Sequence, residues 1–294
     1  MPDAVSTPSG DARRMDGRPL AERLRQQTAA KVHRILDETG VVPTLATVLV
    51  GNDPASAAYV RTKRRRCEEV GIRSHSIELP SDTRSEQLVE HVQRLADDPA
   101  VHAILVQHPV PHPLDRRAAF ETIPLHKDVD GVSSAALGRI ILGMPAYASC
   151  TPLGILRLLC EDQVPLDGAH AAVLGRSPIL GRPMASMLIN AHATVTLCHS
   201  RTRDLQQIVR QADVLIVAVC RPRFVRGDWL KSGAVVVDAG YNPGPVGDVD
   251  YDSAARVASL LTPVPGGVGP MTIAMLLEHT ADAAASQLGV SLDL

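Results

Sequence analysis

The sequence predicts an α/β fold divided into two domains, and three observations carry that prediction. Short apolar runs recur along the chain, each continuous rather than alternating, as in strands buried on both faces of a parallel sheet. Amphipathic stretches of helical period lie between them, so strand and helix alternate. At 294 residues the chain also has the size at which one core tends to split into two.

In chain order, the apolar runs predict strands at residues 45–50, 103–106, 171–174, 194–197, 214–219 and 234–237. The amphipathic stretches predict helices at 20–38, 56–70, 85–96, 155–160, 183–191 and 205–212. A Pro- and Gly-marked stretch at 138–151 breaks the rhythm, and Thr151-Pro152 has the N-cap and first-turn chemistry of a new helix. The domain boundary is placed there. The last helix, 272–287, is rich in Ala, Leu and Met and is expected to return to the first domain, which gives residues 15–149 plus 273–294 and residues 150–272. Residues 1–14 are rich in Ser, Pro, Gly and Asp and read as a disordered tail, not a signal peptide.

Composition narrows the function. Thirty Lys+Arg against 32 Asp+Glu leave a net charge of −2, which argues against a nucleic-acid binder. Two Phe, one Trp and four Tyr leave little for base stacking, so the cores must be built from Val, Leu, Ile and Ala. The five cysteines are an odd number with no Cys-x-x-Cys spacing, which fits neither a disulfide framework nor a metal knuckle. No apolar run approaches the ~18 residues of a membrane helix, and the expected location is the cytoplasm.

Six segments carry chemistry. Gly175-Arg176-Ser177 begins a tight turn between a strand and a helix, where backbone N–H groups can meet a pyrophosphate. Its spacing is not G-x-G-x-x-G, and a ligand-free βα loop is the alternative. The next strand ends at Cys198-His199-Ser200-Arg201, where an NAD-binding fold would place an acidic residue. A hydroxyl and guanidiniums suit the 2′-phosphate of NADP instead, although Asp204 keeps a solvated loop open.

Tyr59 and Lys63 stand at i and i+4, on one helix face beside Arg64-Arg65-Arg66. Such a run is commonly a solvated face, but a desolvated lysine among guanidiniums would have a lowered pKa suited to acid/base work. Val106-Gln107-His108 ends a parallel strand at the edge where such folds place ligands, and Gln107 could orient a lysine or a water. His108 and His112 do not make a metal site, since two prolines forbid the helix that would bring them together. Asp128 and Asp130 form either an Asx-type turn or a carboxylate taking two parallel N–H bonds from an amidine-like ring. Residues 262–272 form a Pro- and Gly-rich loop suited to close approach of a flat ligand.

Together these segments resemble the methylenetetrahydrofolate dehydrogenase/methenyltetrahydrofolate cyclohydrolase family over nearly the whole chain. The resemblance implies a three-layer α/β folate-binding catalytic domain and a Rossmann-type NADP-binding domain, with the active site in the interdomain cleft. It also implies a homodimer acting on tetrahydrofolate derivatives in one-carbon metabolism. Methylene-tetrahydrofolate is oxidised with NADP, and the methenyl product is hydrolysed to 10-formyl-tetrahydrofolate.

By the same resemblance Lys63 is the catalytic lysine, Gln107 its partner, Asp130 the pterin-binding carboxylate and Tyr59 the stacking ring. Val106, His108, Pro265, Gly266, Gly267, Val268 and Gly269 complete the folate site. Thr151, Gly175, Arg176, Ser177, Ser200, Arg201, Cys220 and Tyr241 are expected at NADP. His108, Ala136, Ser149, Cys220 and Tyr241 stand where the family usually has Leu, Asn, Pro, Gly and Ile. A divergent paralogue serving a specialised pathway and a non-catalytic binding module are the competing readings.

Overall fold

The computed structural model describes residues 11–292, and the chain forms two compact units. One contains residues up to Ala21 together with Thr151–Thr272; the other contains Glu22–Cys150 and the chain from Ile273 onward.

The second of these units is built on a three-stranded parallel sheet of β2 (Thr44–Val50), β3 (Arg73–Leu79) and β4 (Ala103–Val106), in the order β3-β2-β4. Central β2 is buried along its whole length, Thr44 and Thr47 included, in keeping with its mostly apolar sequence. Edge strand β3, Arg-Ser-His-Ser-Ile-Glu-Leu, is largely polar and was not foreseen. Helix α2 (Pro54–Glu69) starts where Asp53 accepts the Ser56 N–H at 2.8 Å with Pro54 at its first turn. Helix α3 (Ser85–Asp97) buries Leu88, Val92 and Leu95, a helical stripe. Short helices α4 (Arg116–Glu121) and α5 (Ser134–Ile141) follow; α5 occupies part of the stretch expected to be irregular. Within this unit Ile35 of α1 (Gly17–Thr39) packs against Ala284 and Ala285 of α10 (Val268–Leu288).

The other unit holds a six-stranded parallel sheet in the order β1-β9-β8-β7-β5-β6. Its strands are β1 (Arg13–Arg14), β5 (His170–Leu174), β6 (Thr194–Cys198), β7 (Val214–Val217), β8 (Val235–Asp238) and β9 (Leu260–Leu261). Helices α6 (Cys150–Glu161), α7 (Gly181–Asn190), α8 (Leu205–Val209) and α9 (Tyr251–Ala255) alternate with them. From β5 the chain runs to β6 on one side and then to β7 on the other. This reversal makes the carboxyl ends of β5 and β7 the switch point where open α/β sheets bind ligands.

Several boundaries differ from expectation. Residues 1–10 of the expected tail lie outside the described residues, but Arg13–Arg14 pair with Leu260 and Leu261, so the tail does not extend to residue 14. Strand β7 stops at Val217 because Val219, Cys220 and Arg221 turn their N–H groups to a side chain, Asp248. Helix α10 begins at Val268, so only the first part of 262–272 is loop.

Candidate active site

The polar cluster of the three-stranded unit is assembled at the end of β4. Gln107 continues the ladder by donating its N–H to Val48 O at 2.8 Å, which aims its side chain at α2. There Lys63 Nζ donates to Gln107 Oε1 at 3.0 Å, while Gln107 Nε2 donates to His108 O at 2.5 Å and fixes the amide orientation. Lys63 is buried, and its ammonium lies 5.2 Å from the centre of the exposed Tyr59 ring.

Burial lowers the Lys63 pKa, and the carboxylate of Asp130 opposes that shift. The neighbouring guanidiniums, expected to do this work, do not: Arg64, Arg65 and Arg66 turn to Glu68 and Glu69 instead. Desolvation likewise raises Asp130, with Lys63 and the Cys150 thiol and N–H holding it back. Burial thus pushes both groups toward their neutral forms, and each restrains the other. Such a pair can hold and pass a proton.

The two aspartates stand in different surroundings. Asp128 is the turn residue, accepting the Val132 N–H at 3.0 Å and the Ser133 N–H at 2.9 Å. Asp130 stays half-buried and reachable, and Gly131, with φ +59, would bring a Cβ within 2.6 Å of Ser149 N and Tyr147 O. Two residues were missed here, Cys150 beside Asp130 and His279, whose Nδ1 lies 2.8 Å from Val129 O. Their separation along the chain hid them. His108 packs edge-on to Phe120 at 5.0 Å with both ring nitrogens unpartnered, and burial lowers its pKa to about 4.

In the six-stranded unit a cavity of about 280 Å³ lies at the switch point. Gly175, Arg176, Ser177 and Ser200 line it, joined by His199, Arg221 and Phe224, which sequence reasoning missed. The turn demands glycine twice: a Cβ on Gly175 would lie 2.2 Å from Ala218 O, and one on Gly181 1.8 Å from Gly175 O. Ser177 Oγ accepts the Leu180 N–H at 3.1 Å as α7 begins. Among the described residues no Asp or Glu lines the cavity wall. A dinucleotide phosphate would meet a glycine turn, two guanidiniums and hydroxyls here, so the residues present fit NADP.

Thr151, Arg201, Cys220 and Tyr241 are not in that wall. Thr151 Oγ1 instead accepts from Thr272 at 3.1 Å, and Tyr241 is 66% exposed. Cys220 has φ +53, which explains why glycine suits that position: the conformation is left-handed. Pro265 lines a second cavity of about 440 Å³ with Arg14, Arg223 and Asp238. The glycine density nearby is partly for packing, since a Cβ on Gly17 would lie 2.0 Å from Gly267 O. Val268 and Gly269 open α10.

Residues 15–130 match the model of the tetrahydrofolate dehydrogenase/cyclohydrolase catalytic domain, and residues 149–288 match its NAD(P)-binding domain. The bifunctional protein FolD 1 of Streptomyces avermitilis is 56% identical over 279 residues, covering 95% of this chain and 97% of that protein. The bifunctional FolD structure from Campylobacter jejuni superposes with a TM-score of 0.90 at 41% identity, covering 94% of this chain and 99% of that one. The Trypanosoma brucei enzyme complexed with NADP and an inhibitor gives 0.90 at 36% identity, with coverage of 94% and 98%.

Proposed function

We propose a function for this chain from the premise that it belongs to the tetrahydrofolate dehydrogenase/cyclohydrolase family. It oxidises 5,10-methylene-tetrahydrofolate with NADP and hydrolyses the resulting methenyl compound to 10-formyl-tetrahydrofolate. The observation that carries this is the buried Lys63–Gln107 pair beside Asp130.

NADP supplies the hydride acceptor. The methylene carbon is bonded to two nitrogens, so loss of hydride leaves a delocalised cation and positioning outweighs a strong base. Asp130, reachable, binds the amidine-like edge of the pterin through two N–H bonds. Tyr59 offers its exposed face to the ring.

Hydrolysis then needs proton movement. Water adds to the methenyl carbon, the carbon–nitrogen bond to one ring nitrogen breaks, and that nitrogen takes a proton; a second proton leaves to solvent. Lys63 relays these protons, with Gln107 holding Nζ in place and Asp130 supporting the ammonium. In the nucleotide site Gly175, Arg176, Ser177 and Ser200 would hold the phosphates, and Arg201 would add charge toward the 2′-phosphate. Thr151, Cys220 and Tyr241, Val106 and His108, and the Pro265–Gly269 segment are carried in the proposal as further ligand contacts.

The test is absorbance of NADPH formed from methylene-tetrahydrofolate, with NAD as replacement cofactor. Turnover with NADP and a clear loss with NAD are expected; no turnover at micromolar enzyme would leave a binding module. A homodimer in the cytoplasm completes the proposal, and sedimentation at twice the chain mass tests the first part. Among the described residues no helix is long and apolar enough to cross a membrane.

A further inference from the structure

We infer that Asp248 is a positioning residue of the cofactor site, shaping the loop after β7 that walls the cavity. This rests on reading that cavity as the NADP site. Asp248 is fully buried and is not itself in the cavity wall. Its Oδ2 accepts the N–H groups of Val219 at 2.6 Å and Cys220 at 2.9 Å. Its Oδ1 accepts the N–H of Arg221 at 2.8 Å and Nδ2 of Asn242 at 2.9 Å. An ionised carboxylate offers about four lone-pair positions, and this one has all of them filled.

Three successive backbone N–H groups converging on one anion form a nest, a geometry that needs a left-handed residue within it. Cys220 supplies that residue. The loop so held is functional wall: Ala218, Val219 and Arg221 face the cavity opposite Gly175 and Arg176. Ala218 O is also the atom against which Gly175 has no room for a Cβ, so the loop and the phosphate turn fit each other.

The anchor is itself anchored. Asp238, at the end of β8, accepts the N–H groups of Asp248 at 3.0 Å, Gly240 at 2.9 Å and Val249 at 2.9 Å. A Cβ on Gly240 would lie 2.2 Å from the Asp248 carboxyl carbon, so glycine there is the space the carboxylate needs. Asp248 therefore transmits the position of β8 to the wall beside β7.

Asp248→Asn and Asp248→Ala test this. The amide is isosteric but turns an NH₂ toward N–H donors, so it cannot hold the nest. Calorimetry is expected to show NADP dissociation constants raised ~10-fold or more in both variants, the scale of a lost charge-assisted bond. The KM for NADP should rise with it while kcat at saturating NADP is kept, and hydrolysis of methenyl-tetrahydrofolate should persist. Unchanged NADP affinity would overturn the inference. So would parallel loss of hydrolysis and NADP binding in both variants, or failure of both to fold, since either marks a role in the fold at large. A wild type that binds no NADP would instead overturn the proposed cofactor site.

Discussion

A lysine amine held 3.0 Å from an amide oxygen and away from water gives up its proton more readily than one in solvent, because burial penalises the ammonium. Lys63→Met keeps the stem and removes the amine. Hydrolysis of methenyl-tetrahydrofolate is expected to fall by ~10²- to 10⁴-fold, and a wild-type rate would return Lys63 to an ordinary helix face. Asp130→Ala is expected to weaken folate binding by roughly 1.5–3 kcal/mol per bond lost while NADP affinity stays, as two calorimetric titrations would show. Equal loss of both ligands would point to a folding role, which the structure gives to Asp128 instead. At Cys220 the strain is in the backbone: φ +53 costs a side-chain-bearing residue about 1–2 kcal/mol. Cys220→Gly gives back part of this in unfolded-state entropy, so a net stabilisation of about 0.5–1 kcal/mol is expected in urea unfolding. Together with Tyr241→Ile it is expected to tighten NADP binding; unchanged affinity would leave only the stability effect.

At the scale of elements, the carbonyl end of α3 is closed by a residue from another segment. Lys127 is buried, and its Nζ donates to Ala96 O at 2.7 Å, Asp98 O at 2.8 Å and Leu95 O at 3.4 Å. A cation at a helix C-terminus meets both the free carbonyls and the negative end of the dipole. The same residue accepts the Ile104 N–H at 2.9 Å, tying the strand that carries Gln107 to the turn that carries Asp130. Lys127→Met retains the stem and strands two carbonyls, those of Leu95 and Ala96, since Asp98 O keeps the Val101 N–H at 3.1 Å. A loss of about 1.5–3 kcal/mol is expected in denaturant unfolding, and a loss below ~0.5 kcal/mol would mean that water replaces the amine.

For the whole molecule, acid stability includes contributions of opposite sign, two of them from His108 and Asp238. His108 has its pKa lowered from 6.5 to about 4, so the unfolded chain takes the proton first and stability is lost as pH falls from 6.5 toward 4. Asp238 is raised from 3.8 to about 6, so the native state takes the proton first and stability is gained as pH falls from about 6 toward 3.8. Removing the imidazole uncovers its share: the stability of His108→Leu relative to wild type should grow by up to ~2 kcal/mol between pH 7.5 and pH 5. A pH-independent difference would show that the imidazole is solvated. The sequence by itself determined the alternation of strands and helices, the glycine turn after β5, and the residue types at 63, 107 and 130. These follow from local periodicity, turn chemistry and ordered motifs, each confined to a few neighbouring residues. Only the tertiary structure decided the rest. Edge strand β3 is too polar, and β1 and β9 at two residues each too short, to announce themselves without partners. That Lys63 is buried while Arg64 and Arg65 are exposed depends on what packs over one helix face. The division between Asp128 and Asp130, and the hold of Asp248 on a loop up to 29 residues away, rest on hydrogen bonds and desolvation. Those exist only once distant segments have met, because they are properties of the packed environment and not of the residue.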